Sequence, residues 1–355
     1  MSHISGRSAL GPFAATGIGS VPFLSPEEAC REILSHPSLI PFWPQLVRKD
    51  PREDMGLQYS PPLPCLKPDL SQKTLISDPD CRRSESLTAF YEKFLSRDLS
   101  FFSLRPEFAS GFYQLLKMLA ETENQSPFIK GQVVGPITLG LGTKISSNQY
   151  LIHDADLMDA VIKGLALEAV SQAQKFAALN KAALLFLDEP SLSGYGSAFT
   201  PLSRKEVLDI LGETIGLIRE QTDALIGLHC CGNTDWSLLL SLDIDLLNFD
   251  AYGYGEALLL YPEALKTFLE QGRILAWGIV PTADYTGTAT AQGLMEKLTS
   301  LLQTSVARGM DQDRLYAQSL LTPACGMGTL SEDTARKLLG LLSEVSVMAR
   351  EKIRK

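Results

Sequence analysis

The stretch Ala224-Leu225-Ile226-Gly227-Leu228-His229-Cys230-Cys231-Gly232 decides how the rest of the chain is read. Its first six residues form a short apolar run, the pattern of a strand buried on both faces. The residues at its end are of a different kind: an imidazole and two thiols, stopped by a glycine. Side chains alternate faces along a strand, so His229 and Cys231 share one face and Cys230 points to the other. A second run ends in the same style, Leu320-Leu321-Thr322-Pro323-Ala324-Cys325-Gly326, and a third, Leu246-Leu247-Asn248-Phe249-Asp250, ends on an acid.

Short apolar runs of this type alternate with amphipathic helical stretches along the chain. The strands expected are Ala15–Ser20, Gln132–Val134, Ala183–Leu187, Ala224–His229, Leu246–Phe249, Ile274–Ile279 and Ser319–Leu321, with Gly56–Ser60 taken as the eighth. Between them the 3.6-residue period predicts helices over Ala155–Asn180, Ser203–Gln221 and Gln292–Arg308. A last helix is expected over Glu332–Ile353, with Ser331 as its N-cap. Such alternation means either a doubly wound sheet or an eightfold barrel. No Gly-x-Gly-x-x-Gly follows an early strand, and the chemistry-bearing residues fall at strand ends, where a barrel gathers its active site. The expectation is therefore an α/β chain folded as a single (β/α)8 TIM barrel, one domain over residues 1–355.

Bulk composition agrees with an enzyme of that size. Of 355 residues, 45% are hydrophobic and 21% charged, enough for a large core. The net charge of -9 speaks against a nucleic-acid partner, which would need a basic face. No apolar run has the length of a membrane span, and Met1-Ser2-His3-Ile4-Ser5-Gly6-Arg7 leads into no signal core. Six cysteines in so long a chain do not make a disulfide framework. Cys30, Cys65 and Cys81 read as inert buried thiols, and a reducing cytoplasm as the matching compartment.

A His-x-Cys pair alone is most often ordinary strand packing. Two apolar strands that each end in Cys-Gly, beside a third that ends in an acid, form a donor set suited to zinc. The expected ligands are His229, Cys231 and Cys325, with Asp250 as a fourth, each at about 2.0–2.3 Å from the ion. With Asp250 included the site need not keep an open position, although a strand-end Asp often only caps the following segment.

These residues make the chain resemble the catalytic C-terminal barrel of cobalamin-independent methionine synthases. Ala15-Thr16-Gly17-Ile18-Gly19-Ser20-Val21-Pro22 is similar to that family's Ile-Gly-Ser strand. Gly135-Pro136-Ile137-Thr138 resembles its Gly-Pro-Val-Thr turn, and Leu187-Asp188-Glu189-Pro190-Ser191-Leu192 its Asp-Glu-Pro-Ala-Leu element. His229-Cys230-Cys231, Asp250 and Pro323-Ala324-Cys325-Gly326 follow in the family's order. The resemblance implies methyl transfer to the thiol of homocysteine, giving methionine, with zinc lowering the thiol pKa. It also implies that Ile18, Gly19 and Ser20 hold the amino-acid end of the substrate and that Asp188 meets its ammonium group.

The departures are specific. Leu139-Gly140-Leu141-Gly142-Thr143 replaces the family's Trp-Ser-Phe stretch, and Gly194 stands where an acid is usual. No histidine follows His229, so the family's proton donor after the seventh strand is missing: Trp277-Gly278-Ile279-Val280-Pro281 occupies that place. The family's second, N-terminal barrel has no counterpart here. Loss of folate-associated positions beside a kept thiol-activating set points to a corrinoid protein as methyl donor. Corrinoid-dependent thiol methyltransferases use the same barrel and are similar to uroporphyrinogen decarboxylases. The alternatives are a lyase like those decarboxylases, needing no metal, and a non-enzymatic protein that binds zinc or a corrinoid.

Overall fold

In the computed structural model, residue 7 and residues 9–353 are described, apart from 123, 198, 199 and 284. The opening residues 1–6, read above for an export signal, lie outside the described residues. Among the described residues eleven strands run in chain order: β1 (Ala14–Ala15), β2 (Leu66–Asp69), β3 (Thr74–Ser77), β4 (Phe128–Val134), β5 (Lys144–Ser146), β6 (Gln149–Tyr150), β7 (Ala182–Asp188), β8 (Leu225–Cys230), β9 (Leu246–Phe249), β10 (Ile274–Val280) and β11 (Ser319–Pro323). Seven form one parallel sheet in the order β1-β11-β10-β9-β8-β7-β4. With helices between its strands, this is the sheet of a TIM-like barrel.

The two edges of that sheet, β1 and β4, are linked by an irregular segment, residues 39–45. Ile40 N donates to Ala15 O (2.7 Å) and Gln45 N to Gly19 O (3.0 Å) on the β1 side. Lys130 N donates to Pro41 O (2.7 Å) and Trp43 N to Lys130 O (3.4 Å) on the β4 side. Pro41 and Pro44 lack the amide that a regular ladder requires, so the segment makes isolated parallel bridges in place of a strand. The eighth strand expected at Gly56–Ser60 is thereby corrected. Those residues form turns, held by Asp54, whose Oδ1 accepts from Gly56 N (2.9 Å).

The other expected strands fall on observed ones, with ends moved by a few residues. Leu246–Phe249 has the expected bounds, whereas the first shrinks to Ala14–Ala15 because the chain from Thr16 to Ser20 opens into a loop at the strand end. The long helices are Ala155–Ala177, Arg204–Arg219, Ala291–Ala307 and Glu332–Ile353. The last begins as expected, with Ser331 Oγ accepting from Thr334 N at 3.2 Å. Between the third and fourth large strands, Ser203 and Glu206 close a capping box at the start of Arg204–Arg219.

The face of the sheet turned inward is graded. Its lower layer is apolar: Ala14, Phe128, Leu184, Phe186, Leu225, Leu246, Ile274, Ala276 and Leu320 form one buried cluster. Gly227 belongs to this face because a Cβ there would come within 2.5 Å of the Phe186 ring. Toward the C-terminal strand ends the same face turns polar, with Lys130, Gln132, Asp188, His229, Asn248 and Thr322. The N-terminal end is closed by a buried ion cluster. Asp245, at 0% exposure, pairs with Arg7 and Arg219 and accepts from Ile226 N at 2.8 Å.

A second, four-stranded sheet, β2-β3-β5-β6, stands outside the barrel. Its β2–β3 hairpin is antiparallel and is joined at its base by a Cys65–Cys81 disulfide, sixteen residues apart. The reading of Cys65 and Cys81 as inert thiols is corrected by this bond, which forms because β2 and β3 pair so that the flanking residues meet. Cys30, Cys230, Cys231 and Cys325 are free. The argument for a reducing compartment loses its premise. Among the described residues no helix is long and apolar enough to cross a membrane.

Two measurements check this architecture. Titration with a thiol reagent in denaturant should find four reactive cysteines without reductant and six with it. Asp245→Ala should lower the unfolding free energy by about 3 kcal/mol in urea, because it takes the carboxylate from Arg7, one of two from Arg219, and an acceptor from Ile226 N.

Candidate metal centre and cavity

Parallel register sets the site. Asp188 pairs with His229 across β7 and β8, and His229 with Asn248 across β8 and β9, so the three side chains stand at one level on one face. Cys231 lies two residues beyond His229 and keeps its face, while Cys230 is fully buried in the packing outside the barrel. The alternation expected from the sequence is the alternation observed. Cys325 enters from the turn after β11. The donor atoms of His229, Cys231 and Cys325 all lie within 4.8 Å of one another.

The imidazole is oriented by its neighbour. Asn248 Nδ2 donates to Ala276 O (2.9 Å) and to Thr322 Oγ1 (2.7 Å), which commits the amide nitrogen. Its Oδ1 is therefore the atom that meets His229 Nδ1. An acceptor there requires the proton on Nδ1 and leaves the Nε2 lone pair for the thiol side. This is the arrangement of a metal-binding histidine, with the ring nitrogen away from the ion held by a fixed acceptor. An imidazole with a free Nε2 lone pair and two thiols within reach of it fit zinc in donor type and number.

The two thiols share one negative charge. The hydrogen bond from Cys231 holds the Cys325 thiol down to about 4, aided by His229, and burial opposes it. Cys231 is pushed up by the same bond and by burial. For His229, burial pulls downward, but the Cys325 contact and the charges of Asp188 and Cys325 leave it above its ordinary value. The protein thus already stabilises a thiolate where a cation would sit.

Asp250, expected as a fourth ligand, does not join the group. Its Oδ1 accepts from Gly253 N (2.7 Å) and caps the helix Ala251–Leu258, which begins one residue after it. The group so formed has three protein donors, the number found where a site keeps a position for a substrate atom. The group faces a cavity of about 620 Å³, lined among others by Ile18, Ser20, Asp188, Thr282, Arg48 and Lys73.

Asp188 and Glu189 have different tasks despite their adjacency. Glu189 is buried and its carboxylate accepts from Ile137 N (2.9 Å), Thr138 N (2.7 Å) and Thr138 Oγ1 (2.6 Å), fastening the turn that opens helix Pro136–Gly142. Burial raises it to about 7, and these donors oppose the rise. Asp188 lines the cavity, and its Oδ1 is buried without a hydrogen-bond partner. Burial raises its pKa, while Lys130 and His229 pull it back.

Beneath the opening loop lies a residue that the sequence reading passed over. Lys130 is fully buried, and its Nζ donates to Ile18 O and to Gln132 Oε1. Burial lowers it to about 8, against the attraction of Asp188. It thereby holds the Ile18-Gly19-Ser20 loop at the cavity wall. Gly19 is required there, since a Cβ would come within 2.6 Å of Gln132 Nε2. A lysine and a glutamine inside the otherwise apolar run Phe128–Val134, and an asparagine inside Leu246–Phe249, were the available signals for Lys130, Gln132 and Asn248.

No family model matches the sequence, and no curated protein matches it. Among solved structures the fold is similar to a B12-independent methionine synthase from Shewanella sp. W3-18-1 in complex with selenomethionine, at 17% identity and TM-score 0.49, covering 68% of this chain and 67% of that one. It is also similar to the catalytic modules of a pneumococcal exo-β-D-N-acetylglucosaminidase (9% identity, TM-score 0.48, 97% and 86% covered). A third likeness is to a β-mannanase from Alicyclobacillus acidocaldarius (10% identity, TM-score 0.40, 97% and 99% covered). Likenesses this remote span unrelated chemistries and select none of them.

Asn248→Leu, of similar size but with no acceptor, should weaken zinc binding about 10- to 100-fold in competition with a chromogenic chelator. Asn248→Asp, which keeps the acceptor, should bind close to the parent level.

Proposed function

We propose that this chain is a zinc-dependent methyltransferase acting on a thiol, with homocysteine as the substrate and a methylated corrinoid on a separate protein as the donor. The single observation that carries the reading is the contact of His229 Nδ1 with Asn248 Oδ1, which leaves Nε2 for the side of two thiols at a cavity whose wall holds a carboxylate oxygen without a hydrogen-bond partner. His229, Cys231 and Cys325 would hold the ion. Zinc bound there would supply a Lewis acid that makes the substrate thiol available as a thiolate near neutral pH.

The remaining roles belong to the chain itself. Asp188 meets the substrate ammonium, a contact that relieves the unpaired Oδ1 and fixes the sulfur's approach. Ile18, Gly19 and Ser20 form the opposite wall, with Lys130 beneath them holding the loop in place. Asn248 and Thr322 keep the imidazole from turning. Transfer would form a sulfur–carbon bond with the thiolate's electron pair as the donor's bond to the methyl carbon breaks, that bond's pair staying on the donor, and the thiol proton is lost to solvent. Leu139–Thr143 and Gly194 in place of the folate-associated residues support the corrinoid over folate.

Metal analysis and turnover test this reading together. The purified protein should carry one equivalent of zinc, lost in Cys231→Ser and in Cys325→Ser but kept in Asp250→Ala. It should methylate homocysteine with methylcobalamin and not with methyltetrahydrofolate. Brisk folate-dependent turnover would overturn the donor. Zinc binding with no homocysteine methylation would favour a binding protein, and a metal-free protein would favour a lyase.

A further inference from the structure

Thr282 lies just beyond β10 and lines the cavity; the residue is 3% exposed, and its Oγ1 has no hydrogen-bond partner. A threonine hydroxyl is both donor and acceptor, and burying it unpaired is costly, so a native chain keeps such a group where something else completes it. Asp188 Oδ1 is in the same condition in the same cavity. Position separates the two. In the sheet order Asp188 ends β7, and Thr282 follows β10, three strands away.

Thr282 also has a defined neighbour. Val280 pairs with Pro323, and Ala324 N donates to Val280 O at 2.8 Å, so the chains leave β10 and β11 side by side. Thr282 is two residues past Val280, as Cys325 is two past Pro323. Ser20 flanks the same turn from the β1 side: a Cβ on Gly326 would come within 2.1 Å of Ser20 Oγ. Two uncharged hydroxyls thus bracket Cys325–Gly326 on the arc away from Asp188. A ligand that places a cation at Asp188 must turn any anionic group away from that carboxylate, toward these donors.

We infer that Thr282 binds the carboxylate of an α-amino-acid thiol, beside the Ser20 and Asp188 contacts proposed above; this rests on the thiol reading. Thr282 is then a specificity residue, separating amino-acid thiols from simple ones.

Calorimetric titration of the zinc-loaded protein with three thiols tests it: homocysteine, mercaptobutyrate, which lacks the amino group, and aminopropanethiol, which lacks the carboxylate. Thr282→Val should weaken homocysteine and mercaptobutyrate about tenfold and leave aminopropanethiol unchanged, while Thr282→Ser keeps all three affinities. Unchanged homocysteine affinity in the valine variant, or an equal loss with all three thiols, overturns the assignment. Thr282→Ala supplies the same comparison should the valine variant melt early. A parent protein that binds none of the thiols removes the thiol reading itself, whereas a parent that binds them and a valine variant that matches it removes only the role of Thr282.

Discussion

The interaction on which the site depends is the hold on the Asn248 amide. Two acceptors, Ala276 O and Thr322 Oγ1, occupy its nitrogen, and this alone decides which way its oxygen points. From that follow the proton on His229 Nδ1 and the turning of Nε2 toward the thiols. Three adjacent strands, β9, β10 and β11, contribute to this one orientation. The orientation of the imidazole is therefore set by the sheet itself.

The molecule keeps charge at the two ends of the barrel for different ends. Asp245 at the N-terminal end is matched by two arginines and a backbone amide, so its charge is fully answered within the fold. Asp188 at the C-terminal end is left with an unanswered oxygen. Between them the lower interior is apolar, which keeps the two charge systems from sharing solvent. The paired and the unpaired carboxylate are thus separated along the barrel axis. The same contrast divides Asp188 from Glu189, adjacent in sequence and opposite in task.

Most of the architecture could be read from the chain because hydrophobic period and strand length follow from local sequence. The choice of Cys231 over Cys230 needed nothing more than strand alternation. What could not be read depended on contacts between distant segments. The link at residues 39–45 contains two prolines and has no strand pattern, since its bridging is fixed by the edges it joins and not by its own propensity. Asp250 presented the same ending as a ligand and as a cap, and the capping contact with Gly253 N could not be read from the strand pattern. The Cys65–Cys81 bond was hidden because pairing of β2 with β3, and not any cysteine spacing, brings the two residues together. Lys130, Gln132 and Asn248 were visible as polar intrusions into apolar runs, yet their partners were not.

The hairpin outside the barrel has a consequence for what can enter. Lys73, in the turn between β2 and β3, lines the cavity, so part of its mouth is a tied ribbon and not a free loop. The ribbon is anchored twice, by the disulfide at its base and by pairing of β3 with β5. Its position is accordingly set by covalent and ladder constraints remote from His229, Cys231 and Cys325. Chemical reduction of the protein would untie the base of the ribbon at one side of the cavity and leave that group of side chains chemically unaltered.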